Sequence, residues 1–285
     1  MLGILILFFV IGYSGNVATF VTLKIAKGLR PFTKMILCMI AFWDIMMLLI
    51  LGLCQFVIIQ ENLNLRNMNI YFHISYRLSR QFIQYCGIWH LSVTSIERMC
   101  FVVWPTNPTI RRASVKEAVI ISFGLIIFAF ILSVIPFIWI KFSYLISTSL
   151  IIIFGIIIPF ILLLTSSVIV HYKLENNLKT INPFPRKRVS VSTLLSIKMV
   201  IIGSIYYFIT SASMSSLVFT MKYFDNKNKI FNLYENLLFN IFSVLLLSNS
   251  SLKFYLYTIF IPHVRERFIN ICLKIIWKIK LKFNF

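Results

Sequence analysis

Long apolar runs alternate along this chain with short breaks that are basic or rich in asparagine. A helix that crosses a bilayer needs about 20 predominantly apolar residues, and seven runs reach that length. They extend from Leu2 to Leu23, Phe32 to Ile59, Tyr71 to Trp104, Val115 to Ile140, Phe142 to Tyr172, Val189 to Met221 and Phe231 to Phe260. The pattern predicts an all-α membrane protein: a seven-transmembrane helix bundle over residues 1–260, followed by a tail at 261–285.

The break between the fourth and fifth runs is the weakest. Only Pro136, Lys141 and Ser143 interrupt the apolar sequence there. A single re-entrant hairpin in this region is therefore the main alternative to two separate spans.

The composition excludes a water-soluble fold. Hydrophobic residues make up 59% of the 285 residues and charged residues only 13%, whereas soluble domains have about half and about a quarter. The net charge of +20 is scattered between apolar runs instead of lining one face, which excludes cytosolic enzymes and nucleic-acid-binding proteins. Met1 leads into the first run without a basic segment, so we expect this run to remain as a membrane anchor.

No disulfide framework, metal site or catalytic arrangement is predicted. The five cysteines occur singly, mostly in apolar runs, where a thiol behaves as a small hydrophobe. The four histidines lie on separate segments, with no nucleophile and acid arranged around them. We therefore expect no enzymatic activity and no cofactor.

The distribution of Lys and Arg predicts the orientation. Loops one, three and five and the tail carry 19 of the 28 basic residues, and the opposite side carries 7. By the positive-inside rule the richer side is cytoplasmic. The expectation is a multi-pass protein of the plasma membrane with its N-terminus outside and its C-terminus in the cytoplasm.

The tail after Pro262 places apolar residues at helical spacing among basic neighbours. This pattern predicts an amphipathic helix on the anionic inner leaflet, with membrane lipids as its partners. Cys272 in this segment is a candidate palmitoylation site. The alternative is an ordinary thiol on the apolar face of the helix.

A few ionisable residues lie within the predicted spans, where a charge is costly. Asp44 falls near mid-membrane in the second span, and Lys253 in the last span has a stem long enough to reach it. We predict a buried ion pair between them. Four polar residues nearby would satisfy the remaining hydrogen-bonding groups: Asn16, Asn249, Ser250 and Ser251. Alternatively, Lys253 extends to the inner headgroups and Asp44 is protonated.

The outer half of the third span carries a polar stripe. Its members recur at i, i+3, i+4 and i+7 on one helix face: Arg77, Arg80, Gln81 and Gln84. Because guanidinium groups bind carboxylates and phosphates in a bidentate manner, the stripe predicts an acidic small molecule or a peptide as ligand, with Glu235 and Asn236 facing it. The alternative is structural, with Arg77 at the headgroups and Arg80 paired with Glu235.

Short motifs occur in a characteristic order along the spans. The first span contains Gly15-Asn16, and the second contains Ala41-Phe42-Trp43-Asp44. The third ends with Glu97-Arg98 and a proline, Pro105, seven residues after the arginine; the fifth carries Pro159, and the seventh reads from Asn249 to Tyr257. Together these motifs resemble the rhodopsin-like family of G-protein-coupled receptors over the whole chain.

The resemblance implies a role for several residues. Arg98 would be the switch that engages a heterotrimeric G protein, Glu97 would restrain it at rest, and Tyr257 would close the last motif. Asp44 would match the aspartate that holds a sodium ion in resting receptors, with Asn249 and Ser250 in the same cluster. Lys253 stands where the family has an asparagine, so its ammonium would take over the electrostatic role of that ion.

Other departures concern the outer and middle parts of the bundle. His73 replaces the cysteine of the family's outer disulfide. Tyr206-Tyr207-Phe208 stand in place of the tryptophan-proline motif of the sixth span, so the usual hinge is missing. Within the family, the stretch Asn249-Ser250-Ser251 is similar to invertebrate FMRFamide-type neuropeptide receptors, and invertebrate chemoreceptors diverge in the same way. A receptor-like protein that no longer signals, either a decoy or the product of a decaying gene, is the alternative, and a transporter is a more distant one.

Overall fold

The computed structural model describes residues 2–25, 30–54, 57, 70–139, 144–180, 202–203, 205–211, 229–260, 265–266, 268–270 and 273. These residues are helical almost throughout, and no strand occurs among them. Of the predicted amphipathic tail helix, the six described residues are helical, whereas Cys272 lies outside the described residues. The fold class is therefore all-α.

The helices follow the apolar runs closely. They are α1 (Leu2–Ile25), α2 (Pro31–Met47), α3 (Ile70–Val103), α4 (Val115–Trp139), α5 (Tyr144–Ile152), α6 (Ile158–Thr180) and α7 (Lys229–Phe260). A π-helical turn at Leu48–Gly52 extends α2, and a second at Ile153–Ile157 joins α5 to α6. A short helix, Pro108–Arg111, lies between α3 and α4. The helical residues 202–203 and 205–211 fall within the predicted sixth span.

Local signals explain where two of the helices begin. Pro31 occupies the first turn of α2, where its missing N–H leaves no hydrogen bond unmade. At α4, the backbone N–H of Ser114 donates to Glu117 Oε2 at 2.6 Å, and the N–H of Glu117 donates to Ser114 Oγ at 3.4 Å. This reciprocal arrangement is a capping box, which satisfies two otherwise unpaired donors.

Four helical segments in the described ranges are long and apolar enough to cross a membrane. They are Gly3–Lys24, Pro31–Gly52, Val115–Ile135 and Ser149–Lys173. The last two form separate full-length helices, which disfavours the re-entrant hairpin between them. With 34 and 32 residues, α3 and α7 also have sufficient length, but they contain more polar residues. The structure therefore supports a multi-pass helical membrane protein, and the number of seven spans stays a prediction.

The central helix of the described bundle is α3, which packs against α2, α4 and α6, while α1 packs against α2 and α7. The end of the bundle at which α1 begins is called the outer end, and the opposite end is called the inner end. Buried apolar side chains form an outer cluster that includes Leu48 and Leu247 and an inner cluster that includes Ile36 and Leu163. Large apolar residues of α4 face outward, such as Ile120 at 69% exposure, as expected for a helix in contact with lipid.

Small residues permit two close helix contacts. A Cβ atom on Gly12 of α1 would lie 2.5 Å from Ser251 Oγ of α7 and 2.8 Å from Leu48 Cδ1. A Cβ atom on Gly155, in the second π-helical turn, would overlap the ring of Tyr85 on α3. Because helices in lipid associate through close packing, glycine at these positions sets how closely the helices approach.

Candidate functional site: buried charges along the bundle

Asp44 and Lys253 form an ion pair in the middle of the bundle. Lys253 Nζ of α7 lies 2.6 Å from Asp44 Oδ1 of α2, and the side chains of Lys253 and Asp44 are 15% and 5% exposed. The predicted contact is therefore present, and the lysine stem turns towards the carboxylate instead of extending to the headgroups. Since removing either partner would leave a buried charge alone, the pair holds α2 and α7 together.

Polar residues next to this ion pair connect α1 to α7. Asn16 Nδ2 donates to the backbone oxygen of Gly12 at 2.9 Å and to that of Ser250 at 3.1 Å. Ser251 Oγ donates to the backbone oxygen of Phe8 at 2.8 Å. The predicted polar cluster thus joins three helices, with Asn16 serving the α1–α7 contact and Asp44 serving the α2–α7 contact.

A small cavity of about 20 Å³ lies beside the ion pair. Asp44, Asn249 and Lys253 supply polar groups to its wall, together with Gln84 of α3 and Tyr207 of the helical residues 205–211. A volume of this size is about what one water molecule needs. The cavity therefore connects the ion pair to the polar stripe of α3.

At the inner end, the carboxylate of Glu97 is bound by two residues of the α2 start. Arg30 Nη2 lies 2.6 Å from Glu97 Oε1, and Thr33 Oγ1 donates to the same oxygen at 2.7 Å. The Arg30 guanidinium also stacks over the ring of Phe101, 4.2 Å from its centroid, and its Nη1 donates to the backbone oxygen of Ile110 at 3.3 Å. Arg30 therefore joins α2, α3 and the segment that follows α3.

Sequence reasoning did not single out Arg30 or Thr33. Arg30 was only one of the basic residues in the first predicted loop. The available signal was its place immediately before Pro31, because the residue before a proline is restricted to an extended conformation. Here Arg30 has φ −64° and ψ 144°.

Arg98 follows Glu97 near the inner end of α3 and is half-buried. Its Nη1 atom is buried, so part of the guanidinium is withdrawn from the surface of the bundle. Tyr257 belongs to α7, but its side chain lies outside the described residues. The role of Tyr257 that the resemblance implies therefore stays a prediction.

Two members of the outer polar stripe take part in a hydrogen-bond network inside the bundle. Gln81 Nε2 donates to Tyr85 OH at 2.9 Å. Gln84 Nε2 donates to Tyr207 OH at 3.4 Å and to Ser211 Oγ at 3.3 Å, and Tyr207 OH donates to the backbone oxygen of Gly155 at 2.9 Å. Gln84 thus links α3 to residues 205–211 and, through Tyr207, to the second π-helical turn, whereas the bond of Gln81 stays within α3.

The arginines of the stripe differ from the glutamines. Arg77 and Arg80 are half-buried. The Nε and Nη1 atoms of Arg80 are buried and have no hydrogen-bond partner among the described residues. A guanidinium that has lost its water without gaining an acceptor is unfavourable. The side chains of Glu235 and Asn236, predicted to face this stripe, lie outside the described residues, so the pairing of Arg80 with Glu235 is untested.

The described residues contain no group of three metal-ligating side chains. Four cysteines are free thiols: Cys38, Cys54, Cys86 and Cys100. Cys86 is buried, and the other three are half-buried.

No family model matches this chain, and no curated protein is significantly similar to it. The resemblance to rhodopsin-like receptors therefore depends on the motifs alone.

Proposed function

We propose that this chain is a divergent rhodopsin-like G-protein-coupled receptor. In this proposal an anionic small molecule or a peptide binds at the outer half of α3, and the inner end of α3 activates a heterotrimeric G protein. The protein lies in the plasma membrane with its N-terminus outside and its C-terminus in the cytoplasm. The sequence motifs and the arrangement of charges along α3 support it.

The observation that carries the proposal is the placement of two charged positions on one continuous helix. Arg80, with two buried nitrogen atoms that lack acceptors in the described part of the chain, and Arg98 are 18 residues apart on α3. That separation corresponds to about 27 Å along a helix axis. A rigid helix with a desolvated cation at one end and a charged cluster at the other suits the transmission of ligand occupancy across a bilayer.

The hydrogen-bond network offers a route between the two ends. Gln84 lies one turn after Arg80 and donates to Tyr207 and Ser211 of the predicted sixth span. A ligand that attracts the Arg80 guanidinium would shift this turn of α3 and change those two bonds. In a receptor, the ligand would thereby favour a second arrangement of residues 205–211 over the resting one.

The contacts of Glu97 suit a resting state. Arg30 and Thr33 bind its carboxylate, and Arg30 is also stacked on Phe101. Activation would require this end of α3 to move relative to α2, so that Arg98 becomes accessible to the G protein. Two discrete arrangements of packed helices, biased by both ligands, are what an allosteric receptor requires.

The direct test of signalling is nucleotide exchange. The protein, reconstituted in lipid nanodiscs, is mixed with purified heterotrimeric G proteins and screened with peptides, carboxylates and phosphorylated metabolites. We expect ligand-dependent exchange on at least one G protein and its loss in an Arg98→Ala variant. Absence of exchange across the screen and all G-protein classes would contradict the proposal.

The ligand chemistry is tested separately by binding. Replacing Arg80 with Gln removes a charge-assisted hydrogen bond, typically about 1.5–3 kcal/mol, and should weaken binding of an acidic ligand about 10- to 100-fold. Arg112→Gln, an exposed arginine at the other end of the bundle, is the matched control. Equal affinities for both variants would remove Arg80 from the ligand site.

A second candidate function is favoured by the same ion pairs. Asp44 with Lys253, and Arg30 with Glu97, tie α2 to α7 and to α3. If these contacts persist with ligand bound, the protein binds its ligand without signalling and acts as a decoy. Ligand binding at the cell surface without exchange on any G protein would favour this function over that of a receptor.

A further inference from the structure

A groove of about 500 Å³ lies at the inner end of the bundle, between α1, α2 and the start of α4. Its walls are mainly apolar, with Phe20 and Val21 from α1 and Val115 from α4. Val21 and Val115 are 43% and 47% exposed, so the groove opens onto the outside of the bundle, where lipid lies. Its volume is within the range of ligand sites, about 300–1,000 Å³.

Two lysines lie at one end of this groove. Lys24 is in the last turn of α1, and Lys34 is in the first turn of α2. Neither ammonium is paired with a carboxylate of the described residues. Glu117, two residues after the groove residue Val115, accepts a hydrogen bond from the backbone N–H of Ser114. The groove thus combines an apolar wall with two cations that have no paired carboxylate among the described residues.

This arrangement matches the chemistry of a phospholipid better than that of a neutral lipid. An acyl chain would cover the apolar wall, and a phosphate would lie between the two ammonium groups. Basic pockets between membrane helices on the cytoplasmic side bind anionic headgroups, and each lysine contributes to the attraction. A sterol or a neutral lipid would leave both lysines without a partner.

We propose that the groove between α1, α2 and α4 is a binding site for an anionic phospholipid, with its phosphate at Lys24 and Lys34 and one acyl chain along Phe20 and Val21. Assignment of the lipid to the inner leaflet depends on the proposed orientation. Binding itself does not, because lipid in a nanodisc reaches both ends of the bundle. If the protein did not signal through a G protein, this lipid site would be unaffected.

Cys38 provides an intrinsic probe of occupancy. It is a half-buried free thiol on the wall of the groove, one helical turn after Lys34. A bound lipid would cover it and slow its reaction with a maleimide. Cys54 and Cys100, also half-buried free thiols, do not line the groove and serve as internal controls in the same sample.

The experiment compares the full chain in nanodiscs of phosphatidylcholine with and without phosphatidylserine. The rate of maleimide addition at each cysteine is measured by peptide mass spectrometry, and native mass spectrometry records retained lipid. We expect phosphatidylserine to slow labelling of Cys38 but not of Cys54 or Cys100. Equal rates at Cys38 with and without phosphatidylserine would overturn the proposal.

Variants identify the source of the effect. Replacing both lysines with Gln should lower affinity for phosphatidylserine about 30-fold. Lys173→Gln, an exposed lysine at the inner end of α6, is the matched control and should change nothing. Slowed labelling of Cys38 that persists in the double variant would overturn the proposal. Equal slowing in nanodiscs with cholesterol instead of phosphatidylserine, or by free glycerophosphoserine, would overturn it as well.

A second variant covers the case in which the double replacement does not fold. Val21→Trp would fill the groove while keeping both lysines. The parent should show a peak with bound phosphatidylserine in its native mass spectrum, and this variant should lack that peak. Retention of the lipid by this variant, at the level of the parent, would place the lipid elsewhere and overturn the proposal.

Discussion

The ion pair of Asp44 and Lys253 should contribute strongly to stability only as a pair. At an effective dielectric constant of about 20, two unit charges about 4 Å apart attract each other by about 4 kcal/mol. Both side chains are mostly buried, at 5% and 15% exposure, so water screens this attraction little. Lys253→Met would leave a buried carboxylate alone and should lower the free energy of unfolding by about 3–5 kcal/mol. Asp44→Asn should cost less, because the freed lysine stem can extend towards the inner headgroups.

A double-mutant cycle measures the coupling. Free energies of unfolding are obtained by reversible SDS titration in mixed micelles for the parent, the two single variants and the double variant. We expect the double variant to recover most of the loss, with a coupling energy of about 3 kcal/mol. Thr19→Val, which removes a buried hydroxyl bonded within its own helix at 3.1 Å, is the control and should cost about 1 kcal/mol. Additive losses, with a coupling below about 0.5 kcal/mol, would show that the two charges do not stabilise each other in the folded protein.

The same site should change its response to sodium when the lysine is removed. In a Lys253→Asn variant, Asp44 would face the adjacent cavity without a counter-charge. We expect sodium chloride to raise the thermal stability of this variant more than potassium chloride does at equal ionic strength. The parent should show no difference between the two salts, because the ammonium already neutralises the carboxylate. A sodium-specific effect in the parent would contradict this explanation.

The remaining predictions concern helix contacts. Gly12→Ala should destabilise the bundle by about 1–3 kcal/mol, because the added Cβ would overlap Ser251. The control is Gly124→Ala, which has no atom within 4 Å of the added Cβ and should change stability by at most about 1 kcal/mol. Similar shifts of the melting temperature for both variants would exclude close packing at Gly12. Arg30→Ala should destabilise the protein by about 2 kcal/mol, because it leaves the Glu97 carboxylate without its cation. Adding Glu97→Gln to this variant should restore part of the lost stability, as measured by thermal unfolding. No rescue by the second replacement would show that Arg30 acts through other contacts.

The helices could be predicted from the sequence because lipid restricts the options of the backbone. Every N–H and C=O group within a bilayer needs an internal partner, so a long apolar run becomes a helix. The predicted fourth span, Val115 to Ile140, corresponds to α4 at Val115–Trp139, and the third corresponds to α3 within a residue at each end. The predicted second span extended to Ile59 and missed the π-helical turn at Leu48–Gly52, which apolar composition does not reveal.

The contact of Asp44 with Lys253 could also be predicted, for an electrostatic reason. Within the apolar spans few charges were available, so a carboxylate at mid-membrane had few candidates for a counter-charge. The contact of Arg30 with Glu97 could not be predicted in this way. Arg30 was one of 28 basic residues, most of them in breaks, and its partner depends on how the start of α2 packs against α3.

The outer stripe shows the limit of periodicity. The spacing of Arg80, Gln81 and Gln84 correctly indicated one polar helix face, but it did not reveal what that face contacts. Gln84 bonds to Tyr207 in a span that is 123 residues away, a contact that only the packing of helices establishes. The assignment of the stripe to a ligand stays a prediction, and the structure adds hydrogen bonds of both glutamines inside the bundle.

Two of the bonds between α1 and α7 end on main-chain oxygen atoms of α1, at Phe8 and Ile11, and a third runs from the Asn16 side chain to the main-chain oxygen of Ser250. Any amino acid supplies a main-chain oxygen, so most side chains of α1 can be replaced without loss of the bonds at Phe8 and Ile11. Inserting or deleting one residue is different, because it rotates every later position by about 100° around the helix. Apart from Gly12 and Asn16, the first helix should therefore tolerate substitution, but it should not tolerate a change in length before Asn16.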